Sequence, residues 1–213
     1  MKKDKNTKEG HRAYDVHSIY FDTRNFRYYN DKIDGIEVRQ KFRIRYYDPE
    51  VIAQKKGNLW LELKAKDGPI IKKSRHKIDY LDKIGPFEFN KTSSKELDTI
   101  MYILNRDNLA PVVRVSYRRE ALVGIYERDT RITFDSEITG ASTIGNSYYR
   151  TSRDVRLLSP FQYLLEIKIS DAIPSWLSHL IEKYNLEQTA YSKYANAIEK
   201  TGTLRKFKGE LYE

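Results

Sequence analysis

The chain contains no cysteine, which removes disulfides, thiolate metal sites and a cysteine nucleophile and leaves the redox compartment open. Proline and glycine are sparse, 6 and 10 in 213 residues, and no Gly/Ser/Pro-rich linker divides the sequence. A single domain spanning 1–213 is therefore expected. Long hydrophobic runs are missing as well: no stretch of 18 apolar residues occurs, and the Lys-rich start from Met1 to Gly10 has no apolar segment of the kind a secretion signal needs. A soluble, cytoplasmic protein is the expectation. His11, His17, His76 and His179 stand at no zinc spacing, and there is no Gly-rich phosphate loop, Gly-x-Ser-x-Gly elbow or dinucleotide fingerprint.

What the chain has is charge arranged with period two. Lys41, Arg43 and Arg45 alternate with Phe42, Ile44 and Tyr46; Glu62, Lys64 and Lys66 with Leu61, Leu63 and Ala65; Glu166 and Lys168 with Leu165, Ile167 and Ile169. Side chains i and i+2 of a strand share a face, so each segment has one apolar and one charged face. Like charges two residues apart on a strand are roughly 7 Å apart and repel by about 0.6 kcal/mol in water or about 2.4 kcal/mol at an effective dielectric near 20. That is minor for a face in solvent. In a cavity, several such pairs would exceed the usual net stability of a domain unless carboxylates, a metal or a polyanion compensate. With 39 Lys+Arg against 30 Asp+Glu the net charge is +9, which favours phosphate chains, nucleotides, nucleic acid or an anionic lipid surface as partner. Most of the 17 tyrosines stand where strands need bulky residues, which disfavours nucleic acid.

Strand patterns cover 16–22, 36–47, 58–66, 70–80, 111–120, 122–135 and 161–169, with turn chemistry at Gly57-Asn58 and Asp67-Gly68-Pro69. A helix is predicted after Ser93, capped by the Ser93…Glu96 box, with Leu97, Ile100, Met101 and Leu104 as its apolar stripe. A second is predicted from Pro174, burying Trp176, Leu177, Leu180, Ile181 and Tyr184, and a short third over 191–200. The stretch 136–158 reads as a loop or a loose hairpin. Helices with one apolar face belong on the apolar side of the sheet. The strands could close into a barrel with a polar interior or form an open sheet with one wet face; periodicity does not separate the two.

Arg43 and Arg45 are the strongest phosphate-binding candidates, because planar guanidinium forks on one face suit successive phosphoryl groups. Paired surface cations opposite Glu62 are the alternative. Tyr117 shares a face with Arg119, and Arg131 with Thr133 and Asp135, which could be no more than the salt-bridge partner of Arg131. Glu166 could offer a hard oxygen to Mg²⁺ or Mn²⁺ bound mainly through phosphate, or it could be an ion-pair partner of a neighbouring strand.

Ser18-Ile-Tyr-Phe-Asp-Thr23, Arg39-Gln-Lys-Phe-Arg-Ile-Arg45, Leu61-Glu-Leu-Lys64, Tyr117-Arg-Arg119, Arg131-Ile-Thr-Phe-Asp135, Leu165-Glu-Ile-Lys168 and Ser192-Lys-Tyr194 together resemble, in this order and over about residues 14–200, the VTC domain of polyphosphate polymerases. That domain is one of the triphosphate tunnel metalloenzymes, alongside CYTH-type adenylate cyclases and thiamine triphosphatases. The resemblance implies an α+β fold: an antiparallel β-barrel of about eight strands, the triphosphate tunnel, with helices packed outside. It further implies a polyphosphate polymerase that moves the γ-phosphoryl of ATP onto a growing chain, with a tunnel triphosphatase or a non-catalytic binding module as alternatives. Arg43, Arg45, Lys64, Arg119, Arg131 and Lys193 would be the catalytic phosphate-binding set. Tyr117, Ser192, Glu62 and Lys168 would contact substrate, and Glu166 would hold Mn²⁺ or Mg²⁺. The implied partners are ATP, inorganic polyphosphate, pyrophosphate or triphosphate, with room for a membrane-bound partner subunit. The family's opening strand is expected to be missing, residues 1–7 reading as the tail of the helix that follows it. Ala190 stands where the eukaryotic polymerases carry a lysine, which would weaken chain elongation.

Overall fold

Alternation of β-branched and aromatic residues with charged ones builds one antiparallel sheet of nine strands in the computed structural model, which describes residues 1–4, 7, 12–50, 56–80, 94–126, 129–143, 154–170 and 172–209. The strands are β1 (Lys2–Lys3), β2 (Tyr14–Asp22), β3 (Arg39–Tyr46), β4 (Lys56–Asp67), β5 (Ile70–Tyr80), β6 (Ala110–Val123), β7 (Arg131–Ser142), β8 (Val155–Arg156) and β9 (Leu164–Lys168). Their order is β5-β4-β3-β2-β6-β7-β8, with β1 on β6 and β9 on β7. The helices are α1 (Arg27–Ile33), α2 (Lys95–Arg106), α3 (Ser175–Lys183), α4 (Lys193–Lys200) and α5 (Thr203–Gly209). The chain thus has the expected α+β tunnel-type architecture. The sheet is not closed: among the described residues β5 does not pair with β8 or β9.

Parity sorts the sheet as the sequence predicts. Ile19, Phe21, Phe42, Ile44, Leu59, Leu61, Leu63 and Ile78 form one core with Leu97, Ile100, Ile103 and Leu104 of α2. The cap of α2 is Ser94 rather than Ser93, its hydroxyl accepting from the Leu97 amide and lying 3.1 Å from His76 Nδ1 on β5; Ser93 lies outside the described residues. A second core forms on the opposite face, where Val16, Tyr20, Val113, Val115 and Tyr117 meet Tyr194, Ala197 and Ile198 of α4. This corrects the expectation that every helix lies on the uncharged side. Near β2 and β6 the polar face carries an apolar island, and α4 is narrow enough to dock there. Its approach to β7 requires Gly140, where an added Cβ would stand 3.2 Å from both Ala197 Cβ and Leu157 Cδ2.

Other expectations need adjustment. Gly57-Asn58 is no turn but lies within β4, at a register shift between Lys56 and Leu59, whereas the β4–β5 hairpin does turn at Gly68 with φ +55°. The boundary expected at residue 121 is absent, because β6 runs on to Val123; β7 continues to Ser142, into the stretch read as loop. Of the α3 stripe only Leu177 is buried, while Leu180 and Tyr184 are exposed. Lys2 and Lys3 form a short strand opposite Val123 and Leu122 rather than the tail of a helix. They pair with the part of β6 that β2, ending at Tyr14 opposite Arg119, leaves open.

Asp22, at the end of β2, ties these layers together. Fully buried, it accepts from the amides of Thr23, Tyr28 and Tyr29 and from the Tyr194 hydroxyl, so one carboxylate joins β2, α1 and α4. Burial, the largest influence, raises its pKa despite these donors. Asp22→Ala would strand four buried donors, and a loss of about 3 kcal/mol or more is expected in urea unfolding. A loss below about 1 kcal/mol would show that the junction does not depend on this carboxylate.

Candidate functional site

Cross-strand register turns the period-two charges into rows. Arg43 stands directly opposite Glu62, and Glu62 opposite Arg75; Lys41 faces Lys64, and Lys64 faces Lys73; Arg45 faces Trp60, and Trp60 faces Lys77. Farther along, Arg119 faces Asp135, Thr133 faces Glu166, and Arg131 faces Lys168. One basic wall therefore spans β5 to β9, and every residue expected at the site lies on it or at its edge in α4.

Two buried carboxylates organise the wall. Glu62, 3% exposed, takes Arg43 Nε at 2.7 Å, Arg43 NH2 at 2.6 Å, Arg75 Nε at 3.2 Å, Arg45 Nε at 3.8 Å and Lys73 Nζ at 3.9 Å. Burial alone would raise its carboxyl, but Arg43, then Arg45 and Lys73, hold it below the usual carboxylate range. The free side of Arg43 is fixed by Tyr20, whose hydroxyl is 3.1 Å from NH1. Burial opposes ionisation of Tyr20, yet Arg43, Arg45 and Lys41 bring its pKa down. Arg75 also lies over the Trp60 ring, 3.7 Å from its centroid.

The second carboxylate is Asp135, fully buried, which receives a two-pronged Arg119 fork at 2.6 and 2.7 Å and Lys193 Nζ at 2.6 Å. Its pKa is lowered: burial works against this, and Arg119 and Lys193 outweigh burial. Arg119 and Lys193 also flank the Tyr117 ring, 5.1 and 4.8 Å from its centroid. The expectation that Asp135 pairs with Arg131 is therefore corrected. They share a face of β7, but the β6 register sets Arg119 directly opposite Asp135, and Arg131 NH2 pairs instead with Asp4 at 2.9 Å.

The two clusters meet at the N-terminus of α4. Ser192 caps that helix by accepting from the Ala195 amide, and it also receives Lys41 Nζ at 3.1 Å. The Ser192-Lys193 pair thus touches β3 through one residue and β7 through the other. Glu166 is more open, with a side chain 42% exposed, and lies 3.2 Å from Lys168 on its own strand and 4.0 Å from Arg119 NH2. Burial raises its pKa, but Lys168 outweighs burial and the net shift is downward. Among the described residues no three His, Asp or Glu side chains gather as a metal site. Glu166 alone suits a hard divalent ion only where substrate phosphates supply the other oxygens.

Sequence reasoning missed Lys73, Arg75 and Tyr20 as wall residues. In β5 both faces carry cations, Lys72 and His76 on one and Lys73, Arg75 and Lys77 on the other, so parity had nothing to discriminate. Tyr20 reads as one more bulky strand residue until register sets it beside Arg43.

The VTC domain profile matches residues 1–201. The chain belongs to the VTC domain family. The fold of a putative adenylate cyclase from Bacillus halodurans is similar, at a TM-score of 0.50 and 12% identity over 88% of this chain and 82% of that one. A Pyrococcus horikoshii protein aligns over 84% of this chain and 76% of its own at 16% identity, with a TM-score of 0.36. Among the described residues of this VTC domain no helix is long and apolar enough to cross a membrane.

Since Glu62 and Asp135 are both depressed, the unfolded chain takes up their protons first as pH falls. The stability they provide is fully present above the ordinary carboxylate range near pH 4 and is lost as pH drops through and below it. Urea midpoints measured from pH 8 to pH 3 are expected to stay level and then fall steeply below about pH 4.5. Glu62→Gln is expected to be less stable at pH 7 and to fall less steeply in acid. A parallel curve for that variant would show that Glu62 is not a source of the acid sensitivity.

Proposed function

We propose that this VTC domain is a polyphosphate polymerase whose wall binds ATP and a phosphate chain and passes the γ-phosphoryl of ATP to the chain end, releasing ADP. The observation that carries this reading is the row Lys41, Lys64 and Lys73. These stand abreast on three adjacent strands with no carboxylate directly opposite any of them. At a strand spacing of about 4.8 Å, adjacent unit charges repel by up to about 3 kcal/mol at an effective dielectric near 20. Burial, the largest influence, lowers the pKa of Lys41. An anion carrying charge at every phosphoryl group converts that repulsion into attraction.

In the transfer, a terminal oxygen of the acceptor chain forms a bond to the γ-phosphorus while the bond to the β-bridging oxygen breaks, and ADP carries away the electron pair. The protein supplies positioning and positive charge and no covalent intermediate. Arg43, Arg45 and Lys64 serve from β3 and β4, Arg119 and Lys193 from the Asp135 cluster, and Arg131 and Lys168 from the far end. Tyr117 orients the two cations at its ring, and Ser192 positions Lys41. Glu62 acts on substrate through the cations it holds. Mn²⁺ or Mg²⁺ bound at Glu166 would neutralise charge on bridging phosphates. Pyrophosphate and triphosphate are acceptors of the same chemistry. The exposure of Glu166 favours one second reading, a triphosphatase in which water takes the place of the chain.

Incubation with ATP and Mn²⁺, followed by a polyphosphate-stained gel and a free-phosphate assay, separates these. A ladder with ADP and little free phosphate is expected. Free phosphate without a ladder means a triphosphatase, and neither product means a binding module. Glu166→Gln is expected to lower metal-dependent turnover by about tenfold or more while leaving the unfolding midpoint within about 0.5 kcal/mol. Activity equal to the parent's at every metal concentration would make Glu166 only the partner of Lys168. Lys64→Ala is expected to act with opposite signs: weaker ATP and polyphosphate binding, and an unfolding midpoint unchanged or raised at low salt. Undiminished binding in that variant would remove the wall from the substrate path.

A further inference from the structure

A cavity of about 930 Å³ lies between the β2–α1 junction, the end of α2 and α5. None of the wall residues named above lines it. That volume falls in the range of roughly 300–1,000 Å³ typical of small-molecule sites. Its floor is apolar: Phe26 meets Phe207 edge to face, with ring centroids 5.2 Å apart, and Leu204 lies beside them. Its rim is cationic, formed by Arg24, Arg27 and Arg106.

The one carboxylate in the lining, Asp107, is already engaged. Arg27 NH2 approaches it at 2.9 Å, Arg106 grips it with Nε at 2.8 Å and NH2 at 2.9 Å, and the Tyr28 hydroxyl donates to it at 2.5 Å. Three cations against one carboxylate leave the rim positive. Arg24, exposed, has no hydrogen bond or ion pair among the described residues. Asn25, Asn30 and Asn108 add amide groups between floor and rim.

Two of the lining residues, Phe26 with φ 57° and Asn108 with φ 46°, have left-handed backbones. Asn tolerates that conformation, but for an aromatic residue it is uncommon and costs on the order of 1 kcal/mol or more. At residue 26 that cost sets a phenyl ring against Phe207, where a smaller residue would satisfy the turn more easily.

We propose that this cavity is a second ligand site, distinct from the phosphate wall, which takes a small aromatic anion. The ring rests on Phe26, Phe207 and Leu204, and its phosphate or carboxylate lies among Arg24, Arg27 and Arg106. The apolar floor selects the ring and the unbalanced guanidinium rim selects the charge. An inorganic phosphate chain has no apolar body for this floor, so the two sites take different ligands.

The test uses adenosine 5′-monophosphate as the phosphate probe and benzoate as the carboxylate probe, with the full chain in titration calorimetry and amide-resolved NMR. Saturable binding is expected for at least one probe, with shifts at Asn25, Asn30, Asn108 and Leu204. Arg24→Glu, at an exposed position with no ion pair among the described residues, is expected to leave the fold intact and to weaken binding by roughly tenfold or more. Lys64→Ala should leave binding unchanged. Binding of the phosphate probe alone assigns a phosphate ligand, and binding of benzoate alone assigns a carboxylate. The proposal is overturned if neither probe binds, if Arg24→Glu binds as the parent does, or if the shifts fall on the wall and Lys64→Ala abolishes them. This readout does not depend on turnover, so it stands apart from the outcome of the ATP assay.

Discussion

A single carboxylate, Glu62, lets three adjacent strands carry arginine and lysine on the same face and still fold. Removing a carboxylate from water costs several kcal/mol, and it is tolerated here because the side chain lies within 4 Å of four cations at once. The reverse dependence matters as much. Arg43, Arg45, Lys73 and Arg75 are brought together by the register of β3, β4 and β5, and without a shared counter-charge their mutual repulsion would favour a slipped or frayed β5. The ion cluster therefore acts on register, which hydrophobic alternation fixes only to within steps of two residues.

Asp135 repeats the device at the other end with an added consequence. Because Lys193 belongs to α4, the charge balance of β6 and β7 also holds a helix against the polar face of the sheet. The apolar side of that contact is modest, built from Tyr194, Ala195, Ala197 and Ile198, and it depends on the bare backbone at Gly140. Asp22 completes the attachment from below through Tyr194. Helix position and wall chemistry are thus coupled: the Ser192-Lys193 pair reaches both cation clusters only because two buried carboxylates hold α4 in place.

Much of this is readable in the chain. Strand parity in 41–46, 59–66 and 164–168 gives the charged face directly, since residues i and i+2 share a face whatever the pairing partner. What parity cannot give is which residues of different strands lie side by side. Asp135 was assignable to Arg131 by proximity along β7, and only the β6 register reveals Arg119 as its partner. β5 defeated parity because both of its faces are basic. The apolar island under α4 was hidden for a related reason: Val16 and Tyr20 on β2 become continuous with Val113, Val115 and Tyr117 only after the two strands pair. The stripe of α3 marks the opposite failure, a helical pattern with apolar residues that the described fold leaves largely uncovered.

Glu62 and Asp135 leave the wall incompletely neutralised. Each additional acidic residue would relieve repulsion and strengthen the free protein, but on the proposed function it would occupy donors that an anionic substrate needs and would oppose the approach of that substrate. In the row Lys41, Lys64 and Lys73 only Lys73 approaches a carboxylate, 3.9 Å diagonally from Glu62, and the chain accepts repulsion in exchange for a stripe with excess positive charge. In the adjacent row Arg43, Glu62 and Arg75, and in the Arg119–Asp135 pair farther along the sheet, the cations are already oriented by Glu62, Tyr20, Asp135 and Tyr117, so on the proposed function little side-chain freedom would be lost when a substrate binds. The wall thus combines rows held rigid by carboxylates and aromatic rings with one row left unbalanced. The first kind gives geometry and the second gives attraction, and a phosphate chain lying across the strands would use both.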